Sequence, residues 1–170
     1  MGSEIERKFL CTPSAELLGE ATEIWQGYLT IGPDSETRLR RAGERFLLTT
    51  KRGKGLVRGE WEVELTQAQF DEMWPGTDGL RLTKRRYDIA LDGVRGGGEC
   101  IVDVYTGRLA GLTVAEVEFT STEAADAFQP PDWFGAEITG VAQFANQRLA
   151  TVTAEDVAAL AEQGQSGQSS

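Results

Sequence analysis

The chain has 170 residues, of which 40% are hydrophobic and 26% charged, a composition that suits one globular domain and excludes a fibrous protein. Its 17 basic and 27 acidic residues leave a formal net charge of −10, which argues against nucleic-acid binding through the surface. The sequence contains no histidine, which excludes Ser-His-Asp and Cys-His catalysis and every metal site that needs an imidazole.

The cysteine count and the apolar runs indicate a cytoplasmic protein. There are two cysteines, Cys11 and Cys100, so a disulfide framework is not expected and a reducing compartment is the default. No apolar run is long enough to cross a membrane, and charges begin at position 4, where a secretory leader would be apolar. We therefore expect no membrane partner. No partner chain is indicated beyond a second copy, so both a monomer and a homodimer remain open.

Taken in chain order, the pattern predicts many short strands and a few helices. "AGER" at 42–45 predicts a tight hairpin with Gly43 in the turn, and Thr66 with Gln69 has the spacing of a helix capping box. A polar tail at 162–170 is expected to be disordered after a single domain over 1–161. Strands are predicted at 4–10, 23–31, 35–42, 45–52, 57–65, 81–91, 99–106 and 113–120, and helices at 66–74, 121–128, 139–150 and 153–163. The predicted fold class is β-dominated α+β: an eight-stranded antiparallel barrel with helices packed outside.

The predicted strands repeatedly carry charges on one parity and apolar residues on the other. In "EIERKFL" (4–10) Glu4, Glu6 and Lys8 alternate with the largely apolar set Ile5, Arg7 and Phe9. In "RGEWEVEL" (58–65) glutamates alternate with Trp61 and Val63. For one strand alone, a charged face usually looks at solvent. The collective pattern instead favours a charged barrel interior. Its residues would be Glu4, Glu6, Lys8, Arg38, Arg40, Lys51, Arg58, Glu60, Glu62, Lys84, Arg86, Asp103, Glu116 and Glu118.

Buried charges are unfavourable unless they are paired or bind a ligand, so this interior is expected to be wet and to hold a highly charged molecule. Arginine and lysine suit phosphate oxygens, and clustered carboxylates suit Mg²⁺ or Mn²⁺, which also bind phosphates. The sequence therefore predicts a small anionic ligand with a divalent cation.

These segments resemble the CYTH superfamily, also called triphosphate tunnel metalloenzymes. The resemblance rests on "EIERKFL", "QGYLT", "TRLRR", "TTKRG", "RGEWEVEL", "LTKRRYDI", "IVDVYTG", "AEVEF", "PPDWFGAEITG" and "FANQRLA", which cover nearly all of the chain to about residue 150. The compact length is most similar to the short bacterial members, several of which are inorganic tripolyphosphatases. The resemblance implies a triphosphate tunnel in which tripolyphosphate is hydrolysed to pyrophosphate and phosphate.

The resemblance also implies roles for individual residues. As metal ligands it implies Glu4, Glu6, Glu60, Glu62, Asp103, Glu116 and Glu118, and as phosphate-binding residues Lys8, Arg38, Arg40, Lys51, Arg58, Lys84 and Arg86. Glu4, Glu6, Lys8 and Tyr28 would take part in catalysis. Lys8 with Tyr28 is one candidate base, provided that Lys8 loses its proton, and a nearby carboxylate is another.

Other functions remain open at this point. A nucleoside or thiamine triphosphatase, or a class IV-type adenylyl cyclase, would need a pocket for an organic group, for which Trp25, Trp74 and Trp133 are candidates. A polyphosphate- or nucleotide-binding module without turnover is the non-enzymatic alternative. Packing in the apolar core is the simpler expectation for the tryptophans.

Overall fold

A computed structural model describes residues 5–53, 59–91 and 94–165 as one antiparallel sheet with short helices. Every strand pair is antiparallel, and most connections are short. The strands are β1 (Ile5–Cys11), β2 (Thr22–Ile31), β3 (Ser35–Ala42), β4 (Arg45–Arg52), β5 (Gly59–Leu65), β6 (Arg81–Ile89), β7 (Glu99–Thr106), β8 (Thr113–Phe119) and β9 (Phe134–Glu137). The helices are α1 (Gln67–Met73), α2 (Thr122–Ala127), α3 (Asn146–Leu149) and α4 (Ala154–Gln165).

The sheet has nine strands in the order β5-β4-β3-β2-β6-β7-β8-β1-β9. Within the described ranges its two end strands, β5 and β9, pair with one neighbour each, so the sheet is not closed. All eight predicted strands have counterparts, but the closed eight-stranded barrel is not confirmed. The ninth strand explains part of this difference, because β9 pairs with the edge of β1 that a closing strand would need.

Local sequence signals account for several element boundaries. Gly43 has a φ of +60°, which glycine adopts without steric cost, and it forms the two-residue loop between β3 and β4. The backbone N–H of Gln69 donates to the Thr66 hydroxyl while the backbone N–H of Thr66 donates to the Gln69 side chain, which confirms the capping box before α1.

One side of the β1–β8 region carries an apolar core. Phe9, Val102 and Val117 on neighbouring strands pack against Phe128, which follows α2, and against Phe134 of β9. The aromatic rings of Phe9 and Phe134 lie 4.9 Å apart between centroids. This core fixes the strands that carry the acidic residues, whose side chains point to the other side of the sheet.

The C-terminal helices cover one end of the opposite face. Leu10, Leu82 and Tyr105 of the sheet are buried against a cluster that includes Leu149 of α3 and Leu160 of α4. The prediction that all helices pack outside is therefore wrong for α3 and α4. These helices lie on the same side of the sheet as the charged residues, because the ends of β1, β6 and β7 are apolar on that side.

The predicted helix at 139–150 is interrupted. A 3-10 turn over Ala142–Phe144 and α3 are separated by Ala145, whose backbone is extended, and the break lets both Phe144 and Leu149 be buried. At the end of the chain α4 runs to Gln165, past residue 162 where the tail was predicted to begin, and 166–170 lie outside the described residues. In the described ranges, no helix combines the length and the apolarity that crossing a bilayer requires.

Candidate active site

The strand register brings the predicted charged residues to one face of the sheet, which we call the charged face. Residues paired directly across neighbouring strands share a face, and the register pairs Glu6 with Glu118, Arg38 with Tyr28 and Arg86 with Asp103. The shared face predicted from strand parity is confirmed for the described residues. It carries Glu6, Lys8, Tyr28, Arg38, Arg40, Lys51, Glu60, Glu62, Lys84, Arg86, Asp103, Glu116 and Glu118. Glu4 and Arg58 lie outside the described residues.

A carboxylate pair bridged by a lysine lies on β1 and β8. The Lys8 Nζ is 3.1 Å from a Glu6 oxygen and 3.3 Å from a Glu116 oxygen. Burial and the negative charge of Glu116 raise the pKa of Glu6. Burial alone would also raise the pKa of Glu116, but Lys8 outweighs it and lowers that pKa. The two carboxyls therefore titrate as a coupled pair. The pair binds its first proton more readily than a single carboxylate beside a lysine would.

The same pair keeps Lys8 charged. Burial lowers the pKa of Lys8, but the charges of Glu116 and Glu6 outweigh it, so the net shift is upward. Burial also raises the pKa of Tyr28 to about 12. Both side chains are therefore protonated near neutral pH, an arrangement that is unfavourable for the predicted Lys8–Tyr28 base.

A second cluster joins β6 and β7. The Lys84 Nζ, whose side chain is 0% exposed, lies 2.5 Å from one oxygen of Asp103. Arg86 donates to both Asp103 oxygens at 2.8 and 2.9 Å. The Lys84 ammonium also donates to the Asn146 amide oxygen at 3.4 Å, and the Tyr105 hydroxyl donates to that same oxygen at 2.7 Å. Asp103 is therefore a counter-ion whose two oxygens are both occupied by cations.

Electrostatic coupling within this cluster is strong. Burial would raise the pKa of Asp103, but Lys84 and Arg86 outweigh it and hold that pKa at about 2. Burial lowers the pKa of Lys84 to about 8, because the low-dielectric interior and the neighbouring Arg86 outweigh the attraction of Asp103. Near neutral pH the cluster holds two cations and one carboxylate.

Two arginines of β3 add further positive charge. Arg38 is 8% exposed, and its Nε has no hydrogen-bond partner among the residues that the structure describes. The Arg40 Nε donates to the Gln26 side-chain oxygen at 2.9 Å. Burial and the nearby Arg38 and Arg86 lower the pKa of Arg40 to about 10, so it remains charged near neutral pH. A buried guanidinium N–H without an acceptor is costly, so the Arg38 Nε is a candidate to bind an acceptor from outside the described residues.

The acidic residues of β5 lie apart from those of β1 and β8. The Lys51 Nζ is 3.1 Å from a Glu60 oxygen, and the Thr49 hydroxyl donates to a Glu62 oxygen at 2.8 Å. Both glutamates are exposed on an end strand of the sheet. The six predicted metal ligands that the structure describes are thus distributed among three places: β1 with β8, the Asp103 counter-ion position, and β5.

No three acidic or thiol groups are arranged as a complete metal site in the described ranges, which do not include Glu4. The donors that are present nevertheless fit a hard divalent cation. Glu6, Glu116 and Glu118 offer only carboxylate oxygens, which Mg²⁺ and Mn²⁺ prefer, and Mg²⁺ commonly binds one or two carboxylates and keeps several waters. Glu6 and Glu116 both contact Lys8, so a cation bound beside them would be attracted by two carboxylates.

The tryptophans do not lie on the charged face. Trp25 and Trp61 belong to the opposite parity of their strands, and Trp74 stacks on Phe70 beside α1 with ring centroids 5.0 Å apart. Trp133 packs edge-on against Phe134 in the apolar core. The expectation of apolar packing is confirmed for Trp74 and Trp133, whereas Trp25 is 42% exposed.

Sequence reasoning missed two neutral residues of the site, Gln26 and Asn146. Gln26 is 0% exposed between Arg40 and Tyr28, and its position two residues before Tyr28 on a strand was a signal that could have found it. Asn146 lies in a segment predicted as a continuous helix, for which no parity argument exists.

Comparison with protein-family models gives no match. Among curated proteins, an inorganic triphosphatase of Nitrosomonas europaea is 44% identical over 151 residues, 87% of this chain and 97% of that protein. An inorganic triphosphatase of Acetivibrio thermocellus is 31% identical over 152 residues, 88% of this chain and 94% of that protein.

A crystal structure of an inorganic triphosphatase superposes with a TM-score of 0.70 at 40% identity and covers 89% of this chain and 97% of that one. The likeness in fold therefore covers most of this chain and nearly all of that one. By sequence identity over nearly the full length and by fold, the chain belongs to the inorganic triphosphatase family, within the CYTH superfamily.

Proposed function

We propose that this chain hydrolyses inorganic tripolyphosphate to pyrophosphate and phosphate on its charged face, with Mg²⁺ or Mn²⁺ as cofactor. The inorganic triphosphatases that it resembles over nearly their full length support the reaction class. The residue roles given below are part of the proposal and rest on the contacts of the charged face.

The observation that carries the proposal is the buried Nε of Arg38, which has no hydrogen-bond partner among the described residues. Arg40 lies near it, and burial together with Arg38 and Arg86 lowers the pKa of Arg40. Arginine only donates hydrogen bonds, so the Arg38 Nε needs an acceptor that the described protein does not provide. Phosphate oxygens are strong, charged acceptors that match the guanidinium geometry. Lys84 and Arg86 share Asp103 and leave additional positive charge close to the same place.

Arg38 and Arg40 lie on β3 and Lys84 on β6, whereas Glu6, Glu116 and Glu118 lie on β1 and β8, a separation that suits a substrate that binds together with a metal ion. Arg38, Arg40 and Lys84 would bind the phosphate chain. Glu6, Glu116 and Glu118 would hold the divalent cation, with Glu4 as a further ligand from outside the described residues. A bound Mg²⁺ or Mn²⁺ supplies positive charge that offsets the charge of the phosphoryl oxygens during transfer.

The reaction breaks a P–O–P bond as a water oxygen bonds to the terminal phosphorus, and pyrophosphate leaves. The attacking water must lose a proton. A carboxyl of the Glu6–Glu116 pair that the cation leaves free accepts it in this proposal, because the pair lies beside the cation site. Lys8 keeps the pair in position and stays charged.

Inorganic substrate is favoured over organic triphosphates by the position of the tryptophans. No tryptophan of the chain lies on the charged face, and Tyr28 and Tyr105 on that face are buried, at 1% and 4% exposed, so they offer little ring surface to a base or thiazolium. The C-terminal helices also fill one end of that face with apolar side chains. Nucleoside and thiamine triphosphates are therefore expected to be poorer substrates.

A substrate panel tests the proposal. Purified protein should release phosphate from tripolyphosphate with Mg²⁺ or Mn²⁺, lose this activity on chelation, and act more slowly on ATP and thiamine triphosphate. Arg38→Met should raise KM, whereas Arg85→Met, which removes an exposed arginine on the opposite parity of β6, should not. Faster turnover of an organic triphosphate, cyclisation of ATP, or binding without turnover would contradict the proposal.

A further inference from the structure

Gln26 is a neutral residue in the middle of a charged cluster. It lies on β2, is 0% exposed, and pairs in register with Arg40. A carboxylate at this position would neutralise Arg40, and an apolar side chain would leave the Arg40 Nε without its acceptor. Because the Gln26 amide accepts a hydrogen bond but carries no charge, it satisfies the Arg40 Nε and leaves the positive charge of Arg40 on the charged face.

The orientation of the Gln26 amide follows from its partners. The Arg40 Nε can only donate, so the Gln26 Oε1 must face it, and the two atoms are 2.9 Å apart. The Gln26 Nε2 then faces the Tyr28 hydroxyl oxygen at 2.8 Å and donates to it. Because one end of the amide is fixed by an arginine, the other end must be a donor.

This orientation determines what the Tyr28 hydroxyl can do. Its oxygen accepts from Gln26, so its own proton is available to a different acceptor. In the described part of the chain no acceptor of that proton is found, and the unpartnered Nε of Arg38 lies on the residue paired with Tyr28 in register. Two buried donors on neighbouring strands are thus left for an acceptor that the described residues do not supply.

We propose that Gln26 is a positioning residue that directs the Arg40 guanidinium and the Tyr28 hydroxyl proton towards the phosphate oxygens of the substrate without neutralising Arg40. The inference rests on the proposed function for the identity of the substrate. It assigns Tyr28 the role of a hydrogen-bond donor to phosphate rather than that of a base.

Gln26→Glu separates this role from a merely structural one. The variant keeps the size of the side chain and the hydrogen bond from Arg40. It adds a negative charge to the cluster, and its second oxygen accepts the Tyr28 proton, which turns that donor away from substrate. KM for tripolyphosphate and Kd for inorganic pyrophosphate should rise by about tenfold to a hundredfold, the loss expected when a charge-assisted hydrogen bond is removed. The urea midpoint should be unchanged or higher, because the new carboxylate pairs with Arg40.

Two further variants complete the design. Gln143→Glu adds the same charge at an exposed position in the 3-10 turn and should leave both affinities unchanged. Gln26→Met removes both hydrogen bonds without adding charge and should also weaken pyrophosphate binding, with a larger effect on KM than on kcat. If Gln26→Glu does not fold, the pyrophosphate affinity of Gln26→Met tests the inference.

Pyrophosphate affinity within about twofold of wild type in the folded Gln26 variants, less than the loss of one hydrogen bond, would overturn the inference. Failure of the proposed function is recognised separately. Wild-type protein that binds pyrophosphate without hydrolysing tripolyphosphate, together with weakened binding in Gln26→Glu, would refute the hydrolytic function and support the positioning role. Wild-type protein that does not bind pyrophosphate would overturn the inference as well.

Discussion

Replacing Asp103 with asparagine tests the ion pairs that hold the cationic side of the charged face. The carboxylate contacts the fully buried Lys84 and accepts from Arg86, and both contacts are lost or weakened in the variant. Removing one partner of a buried pair leaves an uncompensated charge, so the effect should be far larger than that of a surface substitution.

The magnitude follows from the pKa of Asp103. Its value of about 2, against an ordinary 3.8, corresponds to a net stabilisation of about 2 kcal/mol near neutral pH. The buried Lys84 cation left behind adds to this loss, and we expect Asp103→Asn to lower the free energy of unfolding by about 3–5 kcal/mol. For a domain of this size the melting temperature should fall by about 6–20 °C.

The pH dependence gives the sign of the effect. The pKa of Asp103 is depressed in the folded protein, so its stabilisation is present above pH 4 and is lost as the pH falls towards 2. Wild-type protein should lose about 2 kcal/mol of stability over that range from this group, and Asp103→Asn should not.

Urea unfolding followed by tryptophan fluorescence at several pH values measures both quantities. Glu60→Gln is the matched control, because it removes the partner of Lys51 from a pair whose side chains are 23% and 43% exposed. It should change stability by less than about 1 kcal/mol. An Asp103→Asn variant as stable as the control, or with the acid profile of wild type, would refute the assignment of Asp103 as a buried counter-ion.

Three further predictions concern activity. Glu6→Gln should nearly abolish Mg²⁺-dependent phosphate release while circular dichroism stays unchanged, because a cation ligand and proton acceptor is lost; normal turnover would contradict the metal assignment. Tyr28→Phe should raise KM about tenfold, because a hydrogen-bond donor to phosphate is lost. The pH profile of kcat should not change, since a pKa of about 12 keeps Tyr28 protonated, and loss of a rise in kcat at alkaline pH would indicate that Tyr28 acts as a base instead. Substrate affinity should fall as the pH rises through about 8, where the Lys84 ammonium deprotonates, and Lys84→Arg should move that fall to higher pH; a fall at the wild-type pH in Lys84→Arg would assign it to another group.

The arrangement of the charged face was predictable because strands have a strict period of two. Once Glu6, Lys8 and Glu116 were placed on strands, their parity fixed which side of the sheet they share, and the register agrees. The predictable part therefore includes which side chains face the site.

Closure of the sheet and several individual partners were not predictable from the same pattern. The strand β9 is four residues long and follows two prolines, so the segment resembles a loop in sequence. Parity places Asp103 beside Lys84 and Arg86 but does not decide whether a carboxylate there binds a metal or neutralises its neighbours. The contact distances favour the second role, since Lys84 and Arg86 donate to the two Asp103 oxygens.

A crystal structure of the protein with Mg²⁺ and pyrophosphate tests the central claim most directly, namely that the charged face is where condensed phosphate binds. We predict phosphate oxygens within hydrogen-bonding distance of the Arg38 Nε and of Arg40, with the cation on Glu6 and its neighbouring carboxylates. Pyrophosphate bound on another surface, with the Arg38 Nε still lacking an acceptor, would contradict the account.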